Sequence, residues 1–282
     1  MQIAAWIVQA RTRGELRASW VTGRVRILCL GDSNTYGLWV ERGETYPSQL
    51  ETLWNERIDS LKLEVLNLGF PGTNSSRLVR DLPHLLETLA PDVLILMIGV
   101  NDFWTTPFSS GEGARRPTPG FLERHSKLYR AYVLIRRGRD ARKPEIIPDP
   151  AAQGLDREDR MRVGDQEFDV SFYKRQGGHA GIGKELHSNL ERLIAEARKR
   201  GTKVYLMSYP GSIDYYALTN PIIRSVAQRT RTPLIDLASA FAPSCPRPAC
   251  PRMFFLDHHP TPAGYRLVAE TLLARLAGEL AR

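Results

Sequence analysis

Five short apolar runs rich in β-formers, separated by segments of helical periodicity, leave this chain few architectures to choose from. Residues 25–30 and 93–98 are almost uninterruptedly apolar, as strands buried on both faces are. Residues 61–67 alternate and then run apolar, and 204–207 and 234–235 are shorter runs of the same kind. Between them, Thr45-Tyr46-Pro47 opens a helix with Leu50, Leu53 and Trp54 on one face. Leu78, Val79, Leu82, Leu85, Leu86 and Leu89 mark a second helix, which Pro83 is expected to kink and Pro91 ends. Ile182, Leu186, Leu190, Leu193, Ile194 and Ala197 mark a third, ending at Gly201. Asn220-Pro221 is expected to open a fourth, running through Val226. Thr261-Pro262 supplies the N-cap and first-turn proline of the last, which buries Tyr265, Val268, Leu272 and Leu276. Strands alternating with helices imply an α/β fold, a mostly parallel five-stranded sheet covered on both faces.

One stretch breaks the rhythm. Between residues 103 and 180 no strand is expected, and one helix carries Phe121, His125, Leu128, Tyr129, Tyr132 and Ile135 along a face. Residues 136–178 are charged and punctuated by Pro and Gly. A long irregular stretch inside a compact domain is commonly functional, so 103–180 reads as an insertion or lid over the sheet's carboxyl edge. The expected division is a lead-in at 1–24 and a domain at 25–282. Residues 1–10 are apolar but lack a basic start and a clear cleavage site, so they do not read as a signal peptide. A start inside a longer membrane anchor would leave a similar remnant, which keeps membrane association at the N-terminus open.

The net charge of +8 gathers in Arg136-Arg137-Gly138-Arg139 and Arg142-Lys143. A solvated loop accounts for it; an anionic polymer or membrane surface is the sharper alternative. No aromatic and basic residues interleave as a nucleic-acid surface would require. Cys29 lies in the first strand and reads as an inert core residue. Cys245 and Cys250 bracket Pro-Arg-Pro-Ala, and a disulfide or two thiols fit that spacing equally.

Four segments fall at the carboxyl ends of strands or just before the last helix: Ser33 in Gly31-Asp32-Ser33-Asn34, Gly72, Asn101 in Gly99-Val100-Asn101-Asp102, and Asp257-His258-His259-Pro260. Open α/β sheets place their ligands at that edge. A hydroxyl becomes a nucleophile when a nearby imidazole takes its proton, and a carboxylate fixes the imidazole's tautomer. N–H donors must meet the oxyanion that forms. These residue types are the parts of acyl transfer. Asp32 and Asn34 read as backbone-bonding residues of the serine turn, and Asp236 as a turn residue.

The four blocks, in this order and spanning nearly the whole chain, resemble those of the SGNH (GDSL-type) hydrolases. The resemblance implies a flavodoxin-like three-layer α/β/α sandwich working without metal or cofactor. It implies Ser33 as nucleophile, His259 as base and Asp257 as its orienter, with Ser33, Gly72 and Asn101 forming the oxyanion hole. One departure stands out. The family usually places two residues between Asp and His, and here only His258 intervenes. Alignment on Pro260 selects His259 over His258, and in extended chain residues two apart share a side. The implied activity is a serine esterase acting on carboxylic esters, with small acyl groups such as acetyl esters of carbohydrates expected. An O-acyltransferase acting on polysaccharide is the alternative, and a non-catalytic binding module on the same scaffold a third.

Overall fold

A computed structural model describes residues 24–103, 160–163, 166–169, 178–211, 214–245, 250–255 and 257–280. The lead-in at 1–23 and the helix expected around Phe121 to Ile135 lie outside the described residues. Strands β1 (Arg24–Gly31), β2 (Lys62–Gly69) and β3 (Val93–Met97) come first. A short antiparallel hairpin follows, β4 (Arg160–Val163) with β5 (Gln166–Asp169), and then β6 (Lys203–Met207) and β7 (Leu234–Ile235). The main sheet has the order β2-β1-β3-β6-β7, and every pairing in it is parallel.

The helices are α1 (Ser33–Tyr36), α2 (Tyr46–Arg57), α3 (Ser75–Leu89), α4 (Gly178–Lys199), α5 (Asp214–Thr230), α6 (Leu237–Phe241) and α7 (Pro262–Leu280). The chain steps from β1 outward to β2, then crosses back to β3 and continues through β6 to β7. Right-handed crossovers therefore put α2 on one face of the sheet and α3, α4 and α5 on the other. Contacts agree: α2 packs against α7, α3 against α4, and α4 against α5. The sheet is the middle layer of three, and Ile27, Leu28, Leu30, Leu94, Ile95, Leu96 and Leu206 in it are fully or almost fully buried. Among the described residues no helix is long and apolar enough to cross a membrane.

Two expectations need correction. The stretch 103–180 does contain strands, the β4–β5 hairpin. Its signal is in the sequence: Met161 and Val163 alternate with arginines, and a Gly-Asp dipeptide, a composition that favours tight turns, follows them. The helix expected to open at Asn220-Pro221 begins earlier, at Asp214, and carries Pro221 inside it. Buried Tyr216 and Thr219 anchor the preceding turns, which outweighs proline's missing N–H donor. Pro83 likewise lies inside a helix assigned without interruption from Ser75 to Leu89.

Two glycines set how closely the layers approach at the carboxyl edge. A Cβ on Gly69 would sit 2.0 Å from the Tyr36 backbone nitrogen, and one on Gly31 would sit 2.4 Å from the Met97 carbonyl oxygen. Gly69→Ala is therefore expected to cost about 2 kcal/mol or more of stability, since backbone cannot step aside cheaply. Gly278→Ala in α7, where a Cβ meets nothing within 4 Å, should instead stabilise by about 0.5–1 kcal/mol. Urea denaturation of both variants checks the contrast.

Candidate active site

Ser33 sits in the first position of α1, immediately beyond β1. Asp32 caps that helix: its Oδ1 accepts from the Asn34 backbone N–H at 2.9 Å and from Asn34 Nδ2 at 3.2 Å. Gly37 closes the helix in the left-handed region at φ 84° and donates to the Ser33 carbonyl. A helix only four residues long thus has both ends fixed, and this holds the Ser33 side chain at the sheet's carboxyl edge.

His259 arrives from the far end of the chain. Residues 253–261 fold back on themselves: Phe255 N–H donates to the His259 carbonyl at 2.8 Å, Thr261 N–H to the Met253 carbonyl at 2.9 Å, and Phe254 bridges Pro260. Gly264, in the first turn of α7, lies so close that a Cβ there would stand 2.3 Å from the Met253 carbonyl oxygen. The loop is thereby mounted on a buried helix. Cys245 and Cys250, left open by sequence, are joined in a disulfide ahead of it.

His259 Nε2 lies 2.8 Å from Ser33 Oγ, and its Nδ1 lies 3.0 Å from Asp257 Oδ2. His259, not His258, is the histidine brought to the serine. The route differs from the expected extended one. His258 takes the left-handed conformation at φ 66°, so a bend rather than a strand brings Asp257 back to His259. The carboxylate then approaches Nδ1 off the line of a full hydrogen bond. Its Oδ1 accepts from the His259 backbone N–H at 3.3 Å, and its Oδ2 accepts from the Trp39 indole N–H at 2.5 Å. Partial burial works to raise the Asp257 pKa, but the His259 ring and the Trp39 donor outweigh it and hold it at about 2. It is a carboxylate throughout the neutral range.

Gly72, in the loop after β2, has φ 74°, and a Cβ there would point into open space. Asn101 lies in a 3-10 turn after β3, where it is buried, and its Nδ2 donates to the Thr73 carbonyl at 2.9 Å. That bond ties the Asn101 amide to the loop carrying Gly72. All five expected site residues therefore stand at one edge of the sheet. Among the other histidines, His84 is exposed on α3 and His187 makes a 3.7 Å pair with Glu191 on α4. The His125 residue and the His179 side chain lie outside the described residues.

Two tyrosines behind the site carry no signal in the sequence. Tyr209 and Tyr216 stack with ring centroids 4.9 Å apart. The Tyr209 hydroxyl donates to Asp32 Oδ2 and accepts from the Val100 N–H at 3.2 Å, so one buried oxygen links the serine turn to the Asn101 turn. The Tyr216 hydroxyl lies 2.8 Å from Asn34 Oδ1 and 3.0 Å from the His258 carbonyl, linking the serine turn to the histidine loop. Burial raises the Asp32 pKa despite donors from Tyr209 and Asn34. Asp236, expected as a turn residue, caps α6 and pairs with Arg224 at 2.9 Å.

Asp102 is another buried acid at this edge of the sheet. It accepts from both the backbone N–H and the hydroxyl of Ser75, and Asn189 Nδ2 in turn donates to Ser75 Oγ at 2.9 Å. Burial pushes the Asp102 pKa up to about 7, against the two Ser75 bonds, with the Glu185 and Asp32 charges adding to the rise. The folded protein therefore keeps a proton that the unfolded chain releases from about pH 4 upward. This contribution to stability is full at low pH and is lost as pH rises towards 7. In Asp102→Asn the unfolding free energy should fall less between pH 5 and pH 8 than in wild type. Urea denaturation across that range reads it, and equal slopes would contradict the assignment.

A family model described as the GDSL-like lipase/acylhydrolase family matches residues 29–267. No curated protein sequence matches the chain. Among solved structures, the psychrotrophic esterase EstA from a Pseudoalteromonas species is 13% identical over 91% of this chain and 99% of its own, with a TM-score of 0.53. A variant of the acetylxylan esterase Axe2 from Geobacillus stearothermophilus is 17% identical over 92% of this chain and 97% of its own, with a TM-score of 0.55. LAE5, a hydrolase from the metagenome of Lake Arreo, Spain, is 20% identical over 89% and 94%, with a TM-score of 0.51.

Proposed function

The chain belongs to the GDSL-like lipase/acylhydrolase family and is a carboxylic ester hydrolase; from that premise we propose that Ser33, His259 and Asp257 are its catalytic triad and that it removes small acyl groups from carbohydrate esters. The observation that carries the triad is the pair of contacts on one imidazole, 2.8 Å to Ser33 Oγ and 3.0 Å to Asp257 Oδ2.

In this reading neutral His259 carries its proton on Nδ1, facing the anionic Asp257, which leaves Nε2 to accept. Ser33 Oγ attacks the ester carbonyl carbon while its proton passes to Nε2. The Asp257 carboxylate stabilises the imidazolium that results. The carbonyl oxygen becomes an oxyanion, met by the Ser33 and Gly72 backbone N–H groups and the Asn101 amide. Collapse expels the alcohol, which takes the proton from Nε2 and leaves an acyl group on Ser33. A water molecule then gives its proton to Nε2 as it attacks the acyl carbon; collapse breaks the bond to Ser33 Oγ, which takes the proton back from Nε2, and releases the carboxylic acid. No redox or metal step is required by this sequence.

Two observations support a carbohydrate alcohol. Trp39, 67% exposed, stands beside the Asp257 carboxylate at the rim of the site, and an exposed indole face is a surface on which a sugar ring packs. An acetylxylan esterase is among the structures of similar fold. A panel of esters varying acyl length and alcohol tests the preference, with acetyl esters of sugars expected to give the highest kcat/KM. Product analysis with and without a polysaccharide acceptor separates hydrolysis from acyl transfer, since both pass through the same acyl-enzyme.

Ser33→Ala should abolish turnover of p-nitrophenyl acetate while leaving the melting temperature near that of wild type; persistence of the activity would refute the nucleophile. Asn101→Ala should lower kcat by about 10²–10³, the usual effect of removing one oxyanion donor.

A further inference from the structure

Trp39 combines three features that ordinary packing does not ask for. It is a large apolar side chain left 67% exposed. Its backbone sits in the left-handed region at φ 70°, a conformation glycine adopts freely and an indole-bearing residue does not. Its N–H is spent on Asp257 Oδ2 at 2.5 Å. Strain kept at an exposed position, where burial gives nothing back, marks a residue held for what its side chain does.

The need for such a residue follows from the short spacing between Asp257 and His259. With only His258 between them, the carboxylate reaches Nδ1 by a left-handed bend and meets it off-line. Asp257 is one-third exposed and stands on a loop, so the carboxylate could otherwise turn outward to water. Its Oδ1 is held by the His259 backbone N–H, at 3.3 Å and within the same bend. Trp39 supplies a donor from a different part of the chain, 218 positions away, aimed at the same Oδ2 that faces the imidazole.

Resting on the triad reading above, we propose that Trp39 is a positioning residue: its indole N–H clamps Asp257 against His259 and so replaces the restraint that the shortened spacing has removed. Trp39 acts through Asp257, not on the reacting atoms. The clamp lies at the surface, so an alcohol moiety packed on the indole would shield it from water and strengthen it. Esters of ring-shaped alcohols would thereby profit more from the clamp than esters of methanol or ethanol.

The test is a double-mutant cycle on ethyl acetate, whose alcohol carries no ring to pack on the indole. Trp39→Phe keeps a ring and loses the N–H. It should lower kcat roughly tenfold, the low end for a hydrogen bond to a charged group because this one is exposed, with little change in KM. Freed to turn outward, the carboxylate no longer supports the imidazolium, so the acid limb of the kcat/KM profile should move to lower pH. The buried Asp32 carboxyl, which also acts on His259, is the same in all variants and does not contribute to that shift. In the Asp257→Ala background Trp39→Phe should cost nothing further, because the group it positions is gone.

Trp39→Leu should match Trp39→Phe on this small substrate, since both lack the N–H. The proposal is overturned by an unchanged kcat and pH profile in Trp39→Phe, or by an acid limb moved upward, which would mean a carboxylate that stays in place. It is also overturned by losses that multiply with Asp257→Ala or by a Leu variant far worse than Phe, either of which would assign the effect to direct contact. Activity that survives Ser33→Ala would instead remove the triad reading itself, while Ser33-dependent activity indifferent to Trp39 removes only this inference.

Discussion

The 2.8 Å contact between Ser33 Oγ and His259 Nε2 joins residues 226 positions apart, and much of the molecule is arranged to hold it. The serine side is fixed by the end of a buried central strand and by a helix closed at both ends. The histidine side is fixed by a folded-back loop seated on the first turn of a buried helix. The parallel sheet and the tightly stacked α2–α7 layer, including the Tyr46–Tyr265 pair at 6.4 Å, bring both within reach of each other.

Behind the contact lies a second, hidden layer of polar bonds. Asp32 and Asn34 meet the hydroxyls of two stacked tyrosines, Tyr209 and Tyr216, which also reach the Asn101 turn and the histidine loop. Buried polar groups of this kind are costly unless each is satisfied. Once satisfied, they fix the relative positions of three loops that the chain supplies from distant places. The Gly72 loop and the Asn101 turn are tied together in the same way by the Asn101–Thr73 bond.

Much of this was legible in the sequence because it depends on local pattern. Ser33, Gly72 and Asn101 are recognisable as residues just past apolar runs, and parallel sheets gather such ends at one edge. The choice of His259 over His258 rests instead on the family resemblance, through alignment on Pro260. What could not be read is what depends on long-range approach. Nothing near Tyr209 or Tyr216 in sequence signals Asp32 or Asn34 as a partner, and nothing at Trp39 points to Asp257. Asp257 and His259 meet through a bend rather than an extended chain, because a left-handed His258 is invisible to periodicity. The β4–β5 hairpin is hard to read for another reason: its strands are four residues each, and β4 carries arginines and β5 Gln, Glu and Asp where a buried strand would be apolar.

The central claim is that the imidazole of His259 activates the hydroxyl of Ser33. Covalent modification by a serine-directed phosphonate, followed by peptide mass spectrometry, tests it most directly. The account predicts a single adduct on Ser33 in the wild type and a rate of labelling that collapses in His259→Ala but persists in His258→Ala. An adduct on another residue, or labelling of Ser33 that does not depend on His259, would contradict it.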